Sequence, residues 1–167
     1  NIMLDDGTAR VTITDFGLAR AIDDATVTQS GVIVGTPQYM SPEQARGEPV
    51  DARSDLFSLG SVLYFALTGR PPFRAETTMG VLRRISDDPA RPIREINPET
   101  PGWLAAIIDR LHSKQPDGRL ATATELANLL EHCLAHVQQP TAVALPEELI
   151  QRAASPRGPR PARLPGR

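Results

Sequence analysis

Residues 54–69, "SDLFSLGSVLYFALTG", are the strongest indication of the fold class of this chain. Its apolar side chains point to nearly every side of a helix, and a helix of that kind belongs in a protein interior. Ser54 or Asp55 is available as its N-cap, and Gly69 can end it. We therefore expect one buried helix with the rest of the chain packed around it.

Further helices are predicted downstream of this stretch. A weaker helical pattern covers residues 77–86. Thr100 and Pro101 supply a cap and a first-turn proline for the next helix, and Thr122 and Glu125 form a capping box for the last one. The apolar face of the first of these two helices comprises Leu104, Ile107, Ile108 and Leu111. The stripe of the last helix comprises Leu126, Leu129, Leu130, Cys133, Leu134 and Val137.

A short β-hairpin and a long loop are predicted upstream. The β-prone runs "NIML" and "VTIT" flank Asp6-Gly7, which is a strong turn signal. Residues 15–43 then read as one loop, and a loop of that length in a compact domain is usually functional or disordered. The predicted architecture is mainly α: a hairpin and a loop, followed by a helical bundle around one buried helix.

Composition and charge narrow the functional classes. The net charge of −2 is unevenly distributed: residues 152–167 contain five Arg and no acidic residue, whereas residues 1–151 carry a net charge of −7. The acidic main part of the chain gives no electrostatic reason to expect nucleic-acid binding. The single cysteine excludes an internal disulfide and fits a cytoplasmic protein. No apolar run is long enough for a membrane span. Residues 139–167 are predicted to be a Pro/Arg-rich disordered tail or linker.

Five sequence features stand at characteristic distances from one another. "ITDFGLAR" (13–20) contains Asp15, and Asn1 lies fourteen residues earlier. "GTPQYMSPE" (35–43) ends at Glu43, and Asp55 follows twelve residues later. "KQPDGR" (114–119) ends at Arg119. In this order and spacing, residues 1–138 resemble the C-terminal lobe of a protein kinase, and more narrowly the bacterial serine/threonine kinases of eukaryotic (Hanks) type.

The resemblance implies a role for each matched residue in the first half of the chain. Asp15 and Asn1 would hold the Mg²⁺ that accompanies ATP, because Mg²⁺ prefers hard oxygen ligands. Phe16 would act as a packing hinge, and Gly17 would give the backbone freedom. The residues implied as activation-loop phosphorylation sites are Thr28 and Ser30.

The remaining matched residues have implied roles in substrate seating and in structure. Thr36 would help to seat the hydroxyl of a Ser or Thr acceptor in a protein substrate. Glu43 and Arg119 would form a buried ion pair, and Asp55 would start the central helix and hold the backbone of the catalytic loop.

Other parts of the kinase pattern match no residue of this chain. The catalytic Asp of the family lies five residues before its Asn, Lys114 is too far downstream to be the nucleotide-binding Lys, and no Gly-rich loop is present. We therefore expect a fragment without the N-terminal lobe that is inactive alone, from a parent kinase that could act as a homodimer in trans-autophosphorylation and could be tethered to a membrane elsewhere. The alternative is an inactive lobe or pseudokinase that binds proteins.

Overall fold

The computed structural model describes residues 2–4, 11–13 and 37–154. The chain divides into two units, residues 1–35 and 36–167, which are described separately. In the first unit, strands β1 (Ile2–Leu4) and β2 (Val11–Ile13) pair antiparallel. The register joins Ile2 to Ile13 and Leu4 to Val11, so the two predicted runs pair with each other; the connecting residues lie outside the described part.

The described part of the second unit is helical, in agreement with the predicted mainly α class. Its α-helices are α1 (Pro42–Arg46), α2 (Ala52–Thr68), α3 (Thr78–Asp87), α4 (Gly102–Leu111), α5 (Ala123–Gln138) and α6 (Glu147–Ala154). Short 3-10 turns lie at Pro37–Tyr39, Ile93–Glu95 and Pro116–Gly118. In these described residues, no helix has both the length and the apolar composition that crossing a membrane requires.

Helix α2 begins earlier than the sequence predicts. Asp51, in an extended conformation, is the N-cap and accepts a hydrogen bond from the Arg53 main-chain N–H at 2.8 Å. Ser54 and Asp55 therefore lie inside the first turn, and neither is the cap. Gly69 ends the helix as predicted, in the left-handed conformation at φ 70° that favours glycine.

Helix α2 lies between two apolar clusters. Leu56 belongs to one cluster with side chains of α4, α5 and α6, and Phe57 and Tyr64 belong to a second with side chains of α3 and α4. The helix is more one-sided than predicted, because Phe65 is 43% exposed. It nevertheless forms the centre of the helical unit, so it can position residues from distant parts of the chain.

Of the caps predicted for α4 and α5, the first is wrong and the second forms only in part. The cap position of α4 is Pro101, and Thr100 makes no capping hydrogen bond; its buried hydroxyl has no partner among the described residues. Thr122 does cap α5, accepting from the Glu125 N–H at 3.0 Å. The Glu125 carboxylate, however, accepts from the N–H of Ala121 rather than of Thr122, so only half of the capping box forms.

The predicted stripe of α5 is buried only in part. Leu126 and Cys133 are buried, but Leu134 and Val137 are 56% and 57% exposed. Leu134 lies about 80° around the helix from Leu126 at 100° per residue, which takes it off the buried face. Val137 stands on the correct face but one turn beyond Cys133, past the end of the apolar cluster.

The prediction of a disordered tail from residue 139 is wrong for the residues up to 154. Helix α6 packs against α4, and Leu149 is 1% exposed in the core. His132 and His136 make ring-nitrogen hydrogen bonds to the carbonyls of Ala144 and Val143 in the loop before α6, at 2.7 and 2.6 Å. The Pro/Arg-rich composition is confined to the last residues of the chain. The segment before them is amphipathic, and its apolar face packs on the core. Residues 155–167 lie outside the described part.

Candidate functional site: the anchored platform

The platform segment, residues 37–47, carries the end of the "GTPQYMSPE" motif. Ser41 caps α1 through a complete capping box, in which its hydroxyl accepts from the Gln44 N–H at 3.3 Å and Gln44 Oε1 accepts from the Ser41 N–H at 2.9 Å. Pro42 supplies the preset backbone angle of the first turn, and Gly47 ends the helix at φ 67°. These local preferences fix the short helix that presents Glu43.

Glu43 and Arg119 form a buried, bidentate ion pair. Arg119 Nη1 donates to Glu43 Oε1 and Nη2 donates to Oε2, both at 2.7 Å. The residues are 3% exposed each, although 76 positions separate them in the sequence. The planar guanidinium matches a carboxylate in this geometry, so the pair fixes orientation as well as distance. The structure thus brings together two residues that the resemblance paired.

Each remaining N–H of Arg119 also has an acceptor. The guanidinium carbon lies 5.1 Å from the centre of the Phe57 ring, so its face is covered as well. The acceptors for these remaining N–H groups are the main-chain carbonyls of Arg53, Ser113 and Lys114, at 2.8, 2.9 and 3.5 Å. Burying a charge is costly unless it is paired and hydrogen-bonded, and this site meets both conditions.

Two serines of α2 complete the anchor network, which we define as Glu43, Arg119, Ser54 and Ser58. Ser54 Oγ donates to Glu43 Oε1 at 2.6 Å. One turn later, Ser58 Oγ donates to the carbonyl of Tyr39 at 2.7 Å. Residues four apart share one helix face, so α2 holds the platform segment at two points. From the sequence, Ser54 is a candidate only for the helix cap and Ser58 has no predicted role; two serines four residues apart in an apolar helix were the available signal.

An exposed ion-pair cluster lies beside the anchor network. Arg53 contacts Asp117 at 2.7 Å and Asp51 at 2.8 Å, which ties the start of α2 to the turn that precedes Arg119. The Asp117 side chain is 95% exposed, and exposed pairs contribute about 0–1 kcal/mol. The buried pair, rather than this one, therefore dominates the anchoring.

The surroundings of Glu43 change its acidity. Burial alone would raise the pKa, but the hydrogen bonds from Arg119 and Ser54 outweigh it and lower the pKa of Glu43 to about 2 from its ordinary 4.5. A carboxyl group whose pKa is lowered by folding stabilises the fold above its unfolded pKa. That stabilisation disappears as the pH falls through the folded pKa.

We expect this carboxylate to produce a measurable acid dependence. Its stabilising contribution should be complete above about pH 4.5 and should fall by about 3 kcal/mol towards pH 2. In denaturant titrations, the stability difference between the wild type and Glu43→Gln should be largest above pH 4.5 and should shrink towards pH 2. A difference that is constant across this range would contradict the assignment.

The structure describes three of the predicted site residues: Glu43, Asp55 and Arg119. Asp55 is exposed in the first turn of α2 and makes no hydrogen bond through its side chain to the described residues. Its predicted contact with the backbone of a catalytic loop stays a prediction. The predicted residues outside the described part are Asn1, Asp15, Phe16, Gly17, Thr28, Ser30 and Thr36.

The described residues can be searched for a metal site. Within residues 2–4, 11–13 and 37–154, no group of three or more His, Cys, Asp or Glu residues is arranged to hold a metal ion. The residues that the resemblance assigns to Mg²⁺, Asn1 and Asp15, lie outside the described part.

Comparisons with known proteins agree with the fold. The family model "Protein kinase domain" matches residues 1–138. A probable serine/threonine-protein kinase of Corynebacterium efficiens is 40% identical over 167 residues, which covers 89% of this chain and 25% of the relative. Serine/threonine-protein kinase PknB of Mycolicibacterium smegmatis is 47% identical over 129 residues, which covers 75% of this chain and 20% of the relative.

One solved structure supports the same relationship. Titin kinase with its flanking domains is similar at a TM-score of 0.53 and 29% identity, covering 58% of this chain and 18% of that chain. The chain spans a quarter or less of the length of the two curated relatives above. With the motifs in their order and the Glu43–Arg119 pair formed, the chain belongs to the protein kinase family, and its described helices are those of a kinase-like C-terminal lobe.

Proposed function

We propose that the protein containing this chain is a serine/threonine protein kinase that transfers the γ-phosphate of ATP to Ser or Thr residues of protein substrates in signal transduction. The observation that carries the proposal is the buried Glu43–Arg119 pair, because it locks the platform segment to the helical lobe. Phosphoryl transfer depends mainly on positioning, so a rigidly held platform is what the reaction requires.

Substrate seating is assigned to the same motif. Thr36 directly precedes the Pro37–Tyr39 turn, whose Tyr39 carbonyl is held by Ser58. We propose that Thr36 helps to position the acceptor hydroxyl. Asp55 is proposed to contact the backbone of a catalytic loop, and its exposure leaves its carboxylate accessible for that contact.

Metal binding is assigned to Asn1 and Asp15. The pairing of Ile2 with Ile13 supports this proposal, because Asn1 lies one residue before that pair and Asp15 two residues after it. Chain connectivity alone therefore limits their separation. Bound Mg²⁺ would neutralise charge on the phosphates of ATP.

Regulation is assigned to the loop between the hairpin and the platform. Phe16 and Gly17 are proposed to let the segment around Asp15 change conformation, and Thr28 and Ser30 are proposed phosphorylation sites. Each phosphate would add nearly two negative charges, which can order a segment near an Arg. We further propose that two copies of the protein phosphorylate each other in a homodimer. The proposed location is the cytoplasm, and any membrane tether would belong to a part of the protein outside this chain.

A phosphate-transfer assay tests the proposal. The natural protein that contains this chain, given Mg-ATP and a Ser/Thr-rich protein, should transfer phosphate, and Asp15→Asn should reduce the rate by more than about tenfold. Asp23→Asn in the same loop, which is not assigned to the metal, is the matched control and should retain activity. Mapping of the modified residues should identify Thr28 or Ser30.

Two outcomes separate the proposal from its alternative. The 167-residue chain alone should be inactive, because the catalytic Asp and nucleotide-binding Lys of the family match none of its residues. If the whole protein also fails to transfer phosphate, and Mg-ATP does not raise its melting temperature, the kinase proposal is wrong. A pseudokinase or truncated lobe that acts as a protein-binding module would then account for the same fold.

A further inference from the structure

A groove of about 1000 Å³ lies on the helical unit, formed by the α2–α3 connection, helix α3 and residues 88–96. Tyr64, Phe73 and Ile96 border the groove, although the first two are only 2% exposed each, and three prolines line the groove as well. This volume is at the upper end of the range for small-molecule pockets. An open groove of this size fits an extended peptide better than a small metabolite.

The groove is unusually basic for this protein. Four arginines line it, against two acidic residues, Glu76 and Asp88. We call it the arginine groove after Arg70, Arg74, Arg84 and Arg91. Residues 1–151 as a whole carry a net charge of −7, so the groove is a local reversal of the overall sign.

Arg70 and Arg74 differ from the other two arginines of the groove in their ion pairing. Arg84 pairs with Asp88 at 3.9 Å and Arg91 with Glu95 at 3.0 Å. Arg70 and Arg74 are exposed, and neither lies within 4.0 Å of a carboxylate in the described part of the chain. The two guanidinium groups can therefore donate to an incoming carboxylate without breaking an existing ion pair.

The walls of the groove are held by contacts behind them. Phe73 is 2% exposed and stacks on Phe57 with ring centres 5.9 Å apart, which anchors the connection that carries both free arginines. The Tyr64 hydroxyl donates to the Arg91 carbonyl at 3.0 Å, which joins two further residues of the lining. Thr77 caps α3 by accepting from the Gly80 N–H at 3.1 Å. A preformed wall reduces the entropy lost on binding.

We propose that the arginine groove docks an acidic, extended segment of a protein partner, with Arg70 and Arg74 binding its carboxylates. The proposal takes that partner to be a protein substrate and in this respect rests on the proposed kinase function. Charge complementarity is the observation that selects the occupant. A nucleic acid is disfavoured, because the negative charge of the surrounding surface would repel its long phosphate backbone.

Direct peptide binding to the 167-residue chain, without ATP, tests the docking separately from any kinase activity. The probe is a short fluorescein-labelled peptide of alternating Glu, Leu and Pro, and a second peptide has Gln in place of Glu. Fluorescence anisotropy should show saturable binding of the Glu peptide that weakens between about 50 and 300 mM NaCl. The Gln peptide should bind about tenfold more weakly or worse.

Charge-reversal variants locate the site. Arg70→Glu/Arg74→Glu should weaken binding of the Glu peptide by about tenfold or more. The matched control is Arg83→Glu/Arg94→Glu, which changes the net charge equally at two exposed arginines outside the groove and should bind like the wild type. Circular dichroism and melting temperature verify that both variants are folded.

Several results would overturn the proposal. It is wrong if the Glu peptide shows no saturable binding, if both double variants lose binding equally, or if the Gln peptide binds as well. It is also wrong if a single-stranded oligonucleotide binds through Arg70 and Arg74 more tightly than the peptide. Since the assay contains no ATP, peptide binding by a protein without kinase activity would refute only the proposed function.

Discussion

Replacing Arg119 with alanine is expected to lower the free energy of unfolding by about 3–5 kcal/mol. The substitution leaves the Glu43 carboxylate buried with only the Ser54 hydroxyl as a side-chain donor. It also removes the donors to three main-chain carbonyls and the contact with Phe57. Urea unfolding of the chain, followed by circular dichroism, measures the change.

A double-mutant cycle then measures the coupling. Glu43→Ala should also be strongly destabilising, but the double variant should be much less destabilised than the sum of the two, because it leaves neither charge buried alone. Arg46→Ala is the matched control, since Arg46 and Glu48 form an ion pair at 2.9 Å that is exposed. That variant should lose no more than about 1 kcal/mol. Additive effects of the two buried substitutions would refute the coupling.

The second large effect is expected at Leu149 in α6. Leu149→Ala should cost about 2–5 kcal/mol, because it leaves a cavity in the cluster that joins α2, α4 and α5. Ile150→Ala is the matched control: the next residue along the same helix is 51% exposed, and its loss should cost well under 1 kcal/mol. Urea unfolding of both variants provides the comparison.

The pair of variants distinguishes a docked helix from a tail. Equal, small effects at both positions would mean that α6 does not pack on the lobe, and residues 139–154 would then be the linker that the composition predicts. A large effect at Leu149 alone would extend the folded unit beyond residue 138, where the family model ends.

Local patterns in the sequence predict local structure well here. The strand pairing and Gly69 as the end of α2 depend on neighbouring residues, and the structure agrees with both. The caps were less predictable because several polar residues stand near each helix start. Asp51 rather than Ser54 caps α2, and the hydroxyl of Ser54 is instead committed to Glu43.

The family and most of the helices could be inferred from the sequence alone, because ordered motifs and apolar periodicity are visible along the chain. The sequence also paired Glu43 with Arg119, through the resemblance. Four features became visible only in the folded chain: how that pair is satisfied, that Ser58 holds Tyr39, that α6 enters the core and that four arginines share a groove. These features join residues far apart in the sequence. A periodic pattern, such as that of the amphipathic α6, can indicate a helix with one apolar face, but it does not identify the partner of a long-range contact or the charge around a groove.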